Sequence, residues 1–522
     1  MEGDSSIDLD PLIEASSEFA SYPGMQTEDS VREFLERFPL TLLFSALQET
    51  VDEPIMESNL VTCLEVIFKT KYGASLIPQY IHFVQAGMQS DSQIVKCLTC
   101  KVVYIFLDSA EDLRITVQLI KENDIYNLLL KCLLEGDADV ASASTDAISK
   151  LAMISEGADI IFPRNANEET HLKRIATHAS FLARVRILAL IAKLFSISIS
   201  VATMVYDSNL LNLYEAEISN TDDMLMCLSA LELLYELAES PHSIRFLLKT
   251  TLLQLLSSLI SNNSIDSTLR SRAFLLTGKL LSASDTYSVV DETSVKDTLL
   301  AIDERLEMLK DENTDECESA LEALGQVGTS INGATLLFMS PSPVARHVVY
   351  SAFSKQGRGV VLAALHALGI IAGIDRSDSR ILLCSTAEDC LRQLIYKAAV
   401  NSSKLTPSAL ILSVLRKEPE IRLAAYRLIS ALITRQWFLI EVCSKHEIID
   451  IVSDSHIETS KNGMDYRYKC CTAIYKSLSD FNMIVDPTLA AIVEKLQDSV
   501  KRGPYLPKRR IEAQPLVVTA DR

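Results

Sequence analysis

The chain has 522 residues, 48% of them hydrophobic, and carries 49 Lys and Arg against 69 Asp and Glu, a net charge of −20. Displacing counterions from a phosphate backbone needs a basic footprint, and none dominates, so DNA or RNA is excluded as the main ligand. Glycine (16) and proline (15) fall well below average usage, which fits packed helices with short turns rather than a loop-rich or unstructured chain.

Residues 1–27 are acidic and serine-rich and read as a flexible lead in which Leu12, Ile13 and Phe19 allow one short helix. From about Val31 apolar residues recur at helical spacing, as at Phe34, Leu35 and Phe38. One phrase then returns ten times: small or apolar, apolar, two variable positions, apolar, apolar. Its copies start at Cys63, Val102, Ala147, Leu190, Leu233, Leu276, Ala323, Ala367, Leu428 and Ile474. The successive intervals, by subtraction, are 39, 45, 43, 43, 43, 47, 44, 61 and 46 residues. A period in the low to middle forties predicts an all-α armadillo/HEAT-like solenoid of about ten repeats over 28–500. Each unit would bury its apolar face only by stacking on its neighbours, which makes a long surface for holding another protein.

Polar turns precede the phrase-bearing segments. Asn220-Thr221-Asp222-Asp223, Ser90-Asp91, Asp137-Ala138-Asp139 and Asn313-Thr314-Asp315 supply side chains able to cap a helix start. The interval of 61 predicts an insertion near 393–418, marked by Thr406-Pro407 and by Pro419. The longest apolar stretch, Val185 to Tyr206, carries Lys193 and several serines and keeps the repeat register, so it reads as buried helix rather than membrane span. After about Leu496 the periodicity ends. Residues 501–522 form a tail with basic residues at Lys501, Arg502, Lys508, Arg509 and Arg510, expected to be disordered.

Eleven cysteines without framework spacing, and no secretory signal in Met-Glu-Gly-Asp-Ser, point to a reducing compartment, the cytosol or the nucleus. Cys97-Leu98-Thr99-Cys100 has no second pair at zinc-finger distance, and Cys470-Cys471 are adjacent on one helix. There is no His-Glu-x-x-His and no Gly-x-Ser-x-Gly. Gly278-Lys279 ends like a phosphate loop, but Ala273 and Leu280 stand where glycine and Ser/Thr are required, so close helix packing is the better account of Gly278. Gly328 or Gly333 is expected to supply a left-handed cap or tight turn. Trp437, the sole tryptophan, reads as a packing anchor between helices. These readings predict no enzyme activity, no metal and no cofactor.

Several phrases together resemble the 26S proteasome non-ATPase regulatory subunit 5 family. They are Glu316 to Gly328 with Ile331-Asn332-Gly333, Pro419-Glu420-Ile421 leading into Ala424-Ala425 and Trp437, Gly503-Pro504-Tyr505 after the last repeat, and Val95 to Thr99 in an early one. The likeness runs over about residues 31–510 in the same order. It implies a non-catalytic chaperone that binds the C-terminal region of an AAA ATPase subunit of the proteasome base, alongside associated base subunits, and leaves before the particle is complete. The protein is expected to be monomeric on its own and independent of membranes. The alternative is an armadillo-type adaptor in transport or trafficking, but importin-type grooves resemble a regular Asn ladder that is missing here.

In the five central repeats the fourth phrase position is Lys150, Lys193, Glu236, Lys279 and Gln326, whereas the flanking repeats place Val66, Ile105, Ile370, Ala431 and Ser477 there. The position should point away from the core. The polar run predicts a partner-binding stripe whose three lysines attract acidic side chains.

Overall fold

A computed structural model describes residues 10–24, 26–50, 53–163, 171–310, 314–339, 342–374, 376, 382–402 and 404–505. Among them every regular element is a helix. All ten phrases lie on ten of these helices: α1 (Pro54–Phe68), α2 (Gln93–Ser109), α3 (Ala138–Ala152), α4 (Phe181–Ile197), α5 (Met224–Leu237), α6 (Ser267–Ser282), α7 (Asp315–Val327), α8 (Arg358–Ile371), α9 (Pro419–Leu432) and α10 (Lys461–Asp480). Helix α3 shows why. Asp137 opens it, its carboxylate accepting from the Val140 N–H at 2.9 Å. Ser144, Ala147, Ile148 and Leu151 then recur at spacings of three and four and are sealed from solvent. Asp223 and Thr314 cap α5 and α7 in the same way. At α2 the cap is Ser92, not the Ser90-Asp91 pair that precedes it, while Ser90 instead accepts from the Ser92 N–H.

The chain divides into two units, residues 1–246 and 247–522. In the first, α1 to α5 pack side by side in chain order, and shorter helices between them form the second layer. Helix Asp10–Ala20 packs on α1 with Leu12 buried, and Phe19 meets Phe34 at 4.3 Å between ring centroids. The apolar stretch from Val185 to Tyr206 is two helices rather than one. Ser198 adopts an extended backbone between α4 and Ile199–Asp207 and caps the latter through the Val201 N–H. Among the described residues no helix is long and apolar enough to cross a membrane.

In the second unit α6 to α10 form a like row. Its seam explains the phrase. The third position of one copy faces the first position of the next: Gly278 meets Ala323, Gly325 meets Ala367, and Gly369 meets Leu428. A Cβ on Gly278 would stand 2.7 Å from the Ala323 Cα, and one on Gly325 would stand 2.8 Å from the Ala367 Cα, so these helices approach backbone to backbone. Gly278 therefore packs, as its sequence context indicates. Neither Gly328 nor Gly333 is left-handed, although Gly328 does sit in the turn that ends α7, as expected of one of the two. Gly328 follows α7 at φ −70°, and Gly333 lies within helix Ile331–Phe338. Both are required by crowding, since a Cβ would strike Ile371 in one case and the Val327 carbonyl in the other.

The 61-residue interval holds helix Ser385–Asn401, more than twice the length of Ile331–Phe338, followed by Pro407–Leu415. Residues 393–418 take in the second half of the former and all of the latter. Thr406 is the extended cap before Pro407, accepting from the Ala409 N–H at 3.2 Å. Helix Ala490–Arg502 closes the row on α10 and includes Lys501 and Arg502. Gly503, at φ +81°, turns the chain back so that the Tyr505 hydroxyl donates to Asp465 at 2.7 Å. Lys508, Arg509 and Arg510 lie outside the described residues, as do residues 1–9 of the acidic lead.

Candidate functional site: the open face of the phrase helices

Each phrase helix buries three sides and turns one strip to solvent. In α2 that strip runs Cys97, Lys101, Tyr104 and Asp108, and in α3 it runs Asp139, Ser142, Asp146 and Lys150, at spacings of three and four. Glu65 on α1 and Lys69, which caps its end, are the counterparts there. All of these but Lys150, together with the chain after α1 and α2, line a groove of about 1480 Å³, which also takes in Ile115. The groove lies where the third phrase position holds Glu65 and Tyr104 instead of the small residues that close the seam of the second unit.

The strip is a ladder of ion pairs, each reaching back one repeat. Lys101 donates to Glu65 at 2.9 Å, Lys150 to Asp108 at 2.5 Å, and Lys193 to Asp146 at 2.7 Å. Lys150 also sits 5.8 Å from the Tyr104 ring centroid, within cation–π range. Burial alone would raise the Glu65 pKa, but the hydrogen bonds and charges of Lys69 and Lys101 outweigh it and hold the carboxyl below its ordinary value. The same contact raises Lys101. Burial lifts the Cys97 thiol above its usual range, which leaves it a poor nucleophile at neutral pH.

The five residues of the expected stripe fall as follows. Lys150 and Lys193 stand on the open strip, already neutralised by Asp108 and Asp146. Glu236 is exposed at the matching position of α5. In the other unit Lys279 is half-buried and engaged by its surroundings. Gln326 donates weakly to Glu322 at 3.4 Å and packs its Oε1 over the bare backbone of Gly278. The acids that answer the lysines carry no periodic signal. Asp146 directly precedes one phrase, Asp108 directly follows another, and Glu65 sits inside a third, so aligning the copies does not find them.

The first turns of α4 and α5 carry an apolar edge. Phe181, Leu182, Met224 and Leu225 occupy the first turns of α4 and α5 and are 43%, 53%, 42% and 63% exposed. Arg184 fixes these two helix starts together, donating to Glu217 at 2.8 Å and to the capping Asp223 at 3.0 Å. A paired polar strip and an exposed apolar edge on one row of helices equip it for non-covalent recognition. Among the described residues no group of three or more His, Cys, Asp or Glu side chains could hold a metal ion. Trp437 lies in helix Gln436–Ser444 between Tyr396 and Phe438, at 5.9 and 5.5 Å between centroids, and acts as a packing anchor.

A family model described as a proteasome non-ATPase 26S subunit matches residues 7–520. No curated protein sequence matches the chain significantly. Among solved structures, an engineered protein is 12% identical, with a TM-score of 0.37 over 88% of this chain and 99% of its own. A designed armadillo repeat protein, solved with a (KR)4 peptide, is 13% identical, with a TM-score of 0.36 over 49% of this chain and 95% of its own.

Proposed function

Because the chain belongs to the proteasome non-ATPase 26S subunit family, we propose that it serves the proteasome by binding rather than by catalysis, as an assembly chaperone of the regulatory-particle base. In this reading it holds the C-terminal region of one ATPase subunit during assembly and is absent from the finished particle. The observation that carries the reading is the family match across residues 7–520 of a chain whose described residues form a helical-repeat scaffold. The ion-pair ladder and the apolar edge at Phe181, Leu182, Met224 and Leu225 supply the chemistry such a grip needs: apolar contact for affinity, exchangeable charge pairs for register.

Affinity purification of the full chain with mass spectrometry tests this. Base ATPase subunits recovered without core-particle subunits are the expected result. Recovery of transport receptors or coat proteins in their place would transfer the chain to adaptor work. Recovery of intact 26S particles would make it a resident subunit instead of a chaperone.

A further inference from the structure

In the second unit a pocket of about 670 Å³ opens where three helices end. They are Ala345–Ala352, Ser385–Asn401 and Pro407–Leu415. Its charged lining residues are Lys355, Lys404 and Lys417, and no carboxylate lines it. That is a local reversal of sign on a chain of net charge −20. Among the described residues none of the three ammonium groups pairs with an acid, although nearby Arg416 and Arg358 are each matched, to Glu447 and Glu420. The floor is apolar, with Leu410 buried and Tyr350 left 38% exposed.

Lysine after a helix end is ordinarily explained by the carbonyls there. Here those carbonyls have other partners. The Ala398 carbonyl accepts from the Ser402 N–H, that of Ala399 from the Lys404 and Leu405 N–H groups, that of Leu412 from the Arg416 N–H, and that of Ser351 from the Ser354 hydroxyl. Lys355, Lys404 and Lys417 remain in the pocket lining, with these four carbonyls already engaged. Beside them Leu405 is held at φ +70°, a left-handed conformation costly for a branched side chain, with 71% of its surface in solvent.

We propose that this pocket docks an acidic linear segment of a partner protein, one carrying a bulky apolar side chain that seats on Tyr350 and Leu410 while flanking carboxylates meet the three lysines. The volume suits a few residues of peptide and is far larger than one inorganic anion. The charge complementarity commits the occupant to acid, and the apolar floor commits it to protein rather than to a bare polyanion. The site stands apart from the ATPase reading, since it uses none of the ladder or apolar-edge residues named for that grip.

Fluorescence anisotropy of the full chain with a labelled Asp/Glu-rich peptide containing one central Phe tests it. Binding should weaken with rising salt. It should fall at least tenfold in the Lys355→Glu, Lys404→Glu, Lys417→Glu triple variant and survive in the corresponding triple Arg variant, both with wild-type circular dichroism. Equal binding by the wild type and the Glu triple would overturn the assignment. So would equal binding of a peptide with Phe replaced by Gly, competition by millimolar inorganic phosphate, or lysine-dependent binding to phosphatidylserine vesicles without binding to the peptide.

Discussion

Arg270 and Glu316 form a two-pronged ion pair inside the second unit, with Nε and Nη2 donating at 2.8 and 3.0 Å and the side chains only 7% and 3% exposed. Arg305 approaches the same carboxylate from the other side at 2.6 and 3.2 Å. Arg270 also donates to the Asn262 and Ile265 carbonyls, so this one group ties the end of the preceding helix to α6 and α7. Removing one member of a buried pair strands the other charge at a cost of about 3–5 kcal/mol. Glu316→Gln should therefore lower the unfolding free energy of the second unit by that order, read from its urea transition. Glu307→Gln, on a carboxylate 52% exposed, should change stability by less than about 0.5 kcal/mol. Equal effects from the two would mean the triad is not sealed.

The same carboxylate sets an acid limb. Burial opposes its ionisation, but the hydrogen bonds and charges of Arg270 and Arg305 prevail and hold its pKa below the ordinary 4.5. A depressed folded-state pKa stabilises fully above the unfolded value and is lost as pH falls through the folded value. Wild type should therefore lose stability more steeply than Glu316→Gln as pH drops below about 4.5, the window set by that shift. Parallel curves of thermal midpoint against pH would remove Glu316 as the cause.

The seam glycines separate crowding from helix propensity. Gly325 and Gly369 hold the same phrase position, yet a Cβ at 325 would lie 2.8 Å from the Ala367 Cα and 3.0 Å from its Cβ, whereas one at 369 would meet nothing closer than 4.0 Å. Gly325→Ala should cost about 1–3 kcal/mol, because backbone must move. Gly369→Ala should be neutral or gain up to about 1 kcal/mol, since alanine is the better helix residue and the space is free. Thermal midpoints of the two variants measured side by side decide it. Matched losses would mean the Leu428 seam is as tight as the Ala367 seam.

What the chain made readable was whatever recurs within one repeat. The ten phrases fall on ten helices because positions buried at spacings of three and four must be apolar in every copy, and Asp137, Asp223 and Thr314 cap where local chemistry says they should. What stayed hidden belongs to contacts between repeats. The third phrase position looks variable because it is matched to the first position of the next copy, as Gly325 is to Ala367. Lys193 looks like a free charge because Asp146 is 47 residues away in sequence. Arg435 gives no sign that it spans two helix ends, donating to the Ala372 and Ala431 carbonyls while its other nitrogens hold Glu388.

Thiol chemistry should single out one of the 11 cysteines. Cys384 is exposed at the start of helix Ser385–Asn401, where hydrogen bonds from Thr386 and from the Ala387 N–H hold its thiol below the ordinary 9.0. Burial pushes Cys63 up to about 12 and Cys443 up to about 11. Native protein treated with an aromatic disulfide reagent near pH 7 should release one equivalent rapidly, and Cys384→Ser should abolish that phase. A fast phase that survives the substitution would place the reactive thiol elsewhere.

The ladder on the open face can be divided into what it does for the fold and what it does for a partner. Lys193 and Asp146 are each about half exposed, at 50% and 49%, so their pair is worth at most about 1 kcal/mol and Lys193→Glu alone should barely shift the thermal midpoint. Lys150 is more enclosed at 25%, and its loss should register more clearly. Reversing both lysines to Glu should slow association with a base ATPase subunit and weaken it more at low salt than at high salt, if the partner exchanges its own acids into these pairs. Reversing Asp108 and Asp146 to Lys in the same protein rebuilds both internal pairs with opposite polarity. That fourfold swap should restore the unfolding free energy to within about 0.5 kcal/mol of wild type, as far as distant sites add. Binding kinetics then give the decision. A swap that recovers stability but not the association rate shows that the partner reads the polarity of the ladder. Recovery of both shows that the lysines only brace neighbouring repeats, and it moves the grip to the apolar edge at Phe181, Leu182, Met224 and Leu225, where Leu182→Asp with Leu225→Asp should then abolish capture of the ATPase subunit while leaving the fold intact.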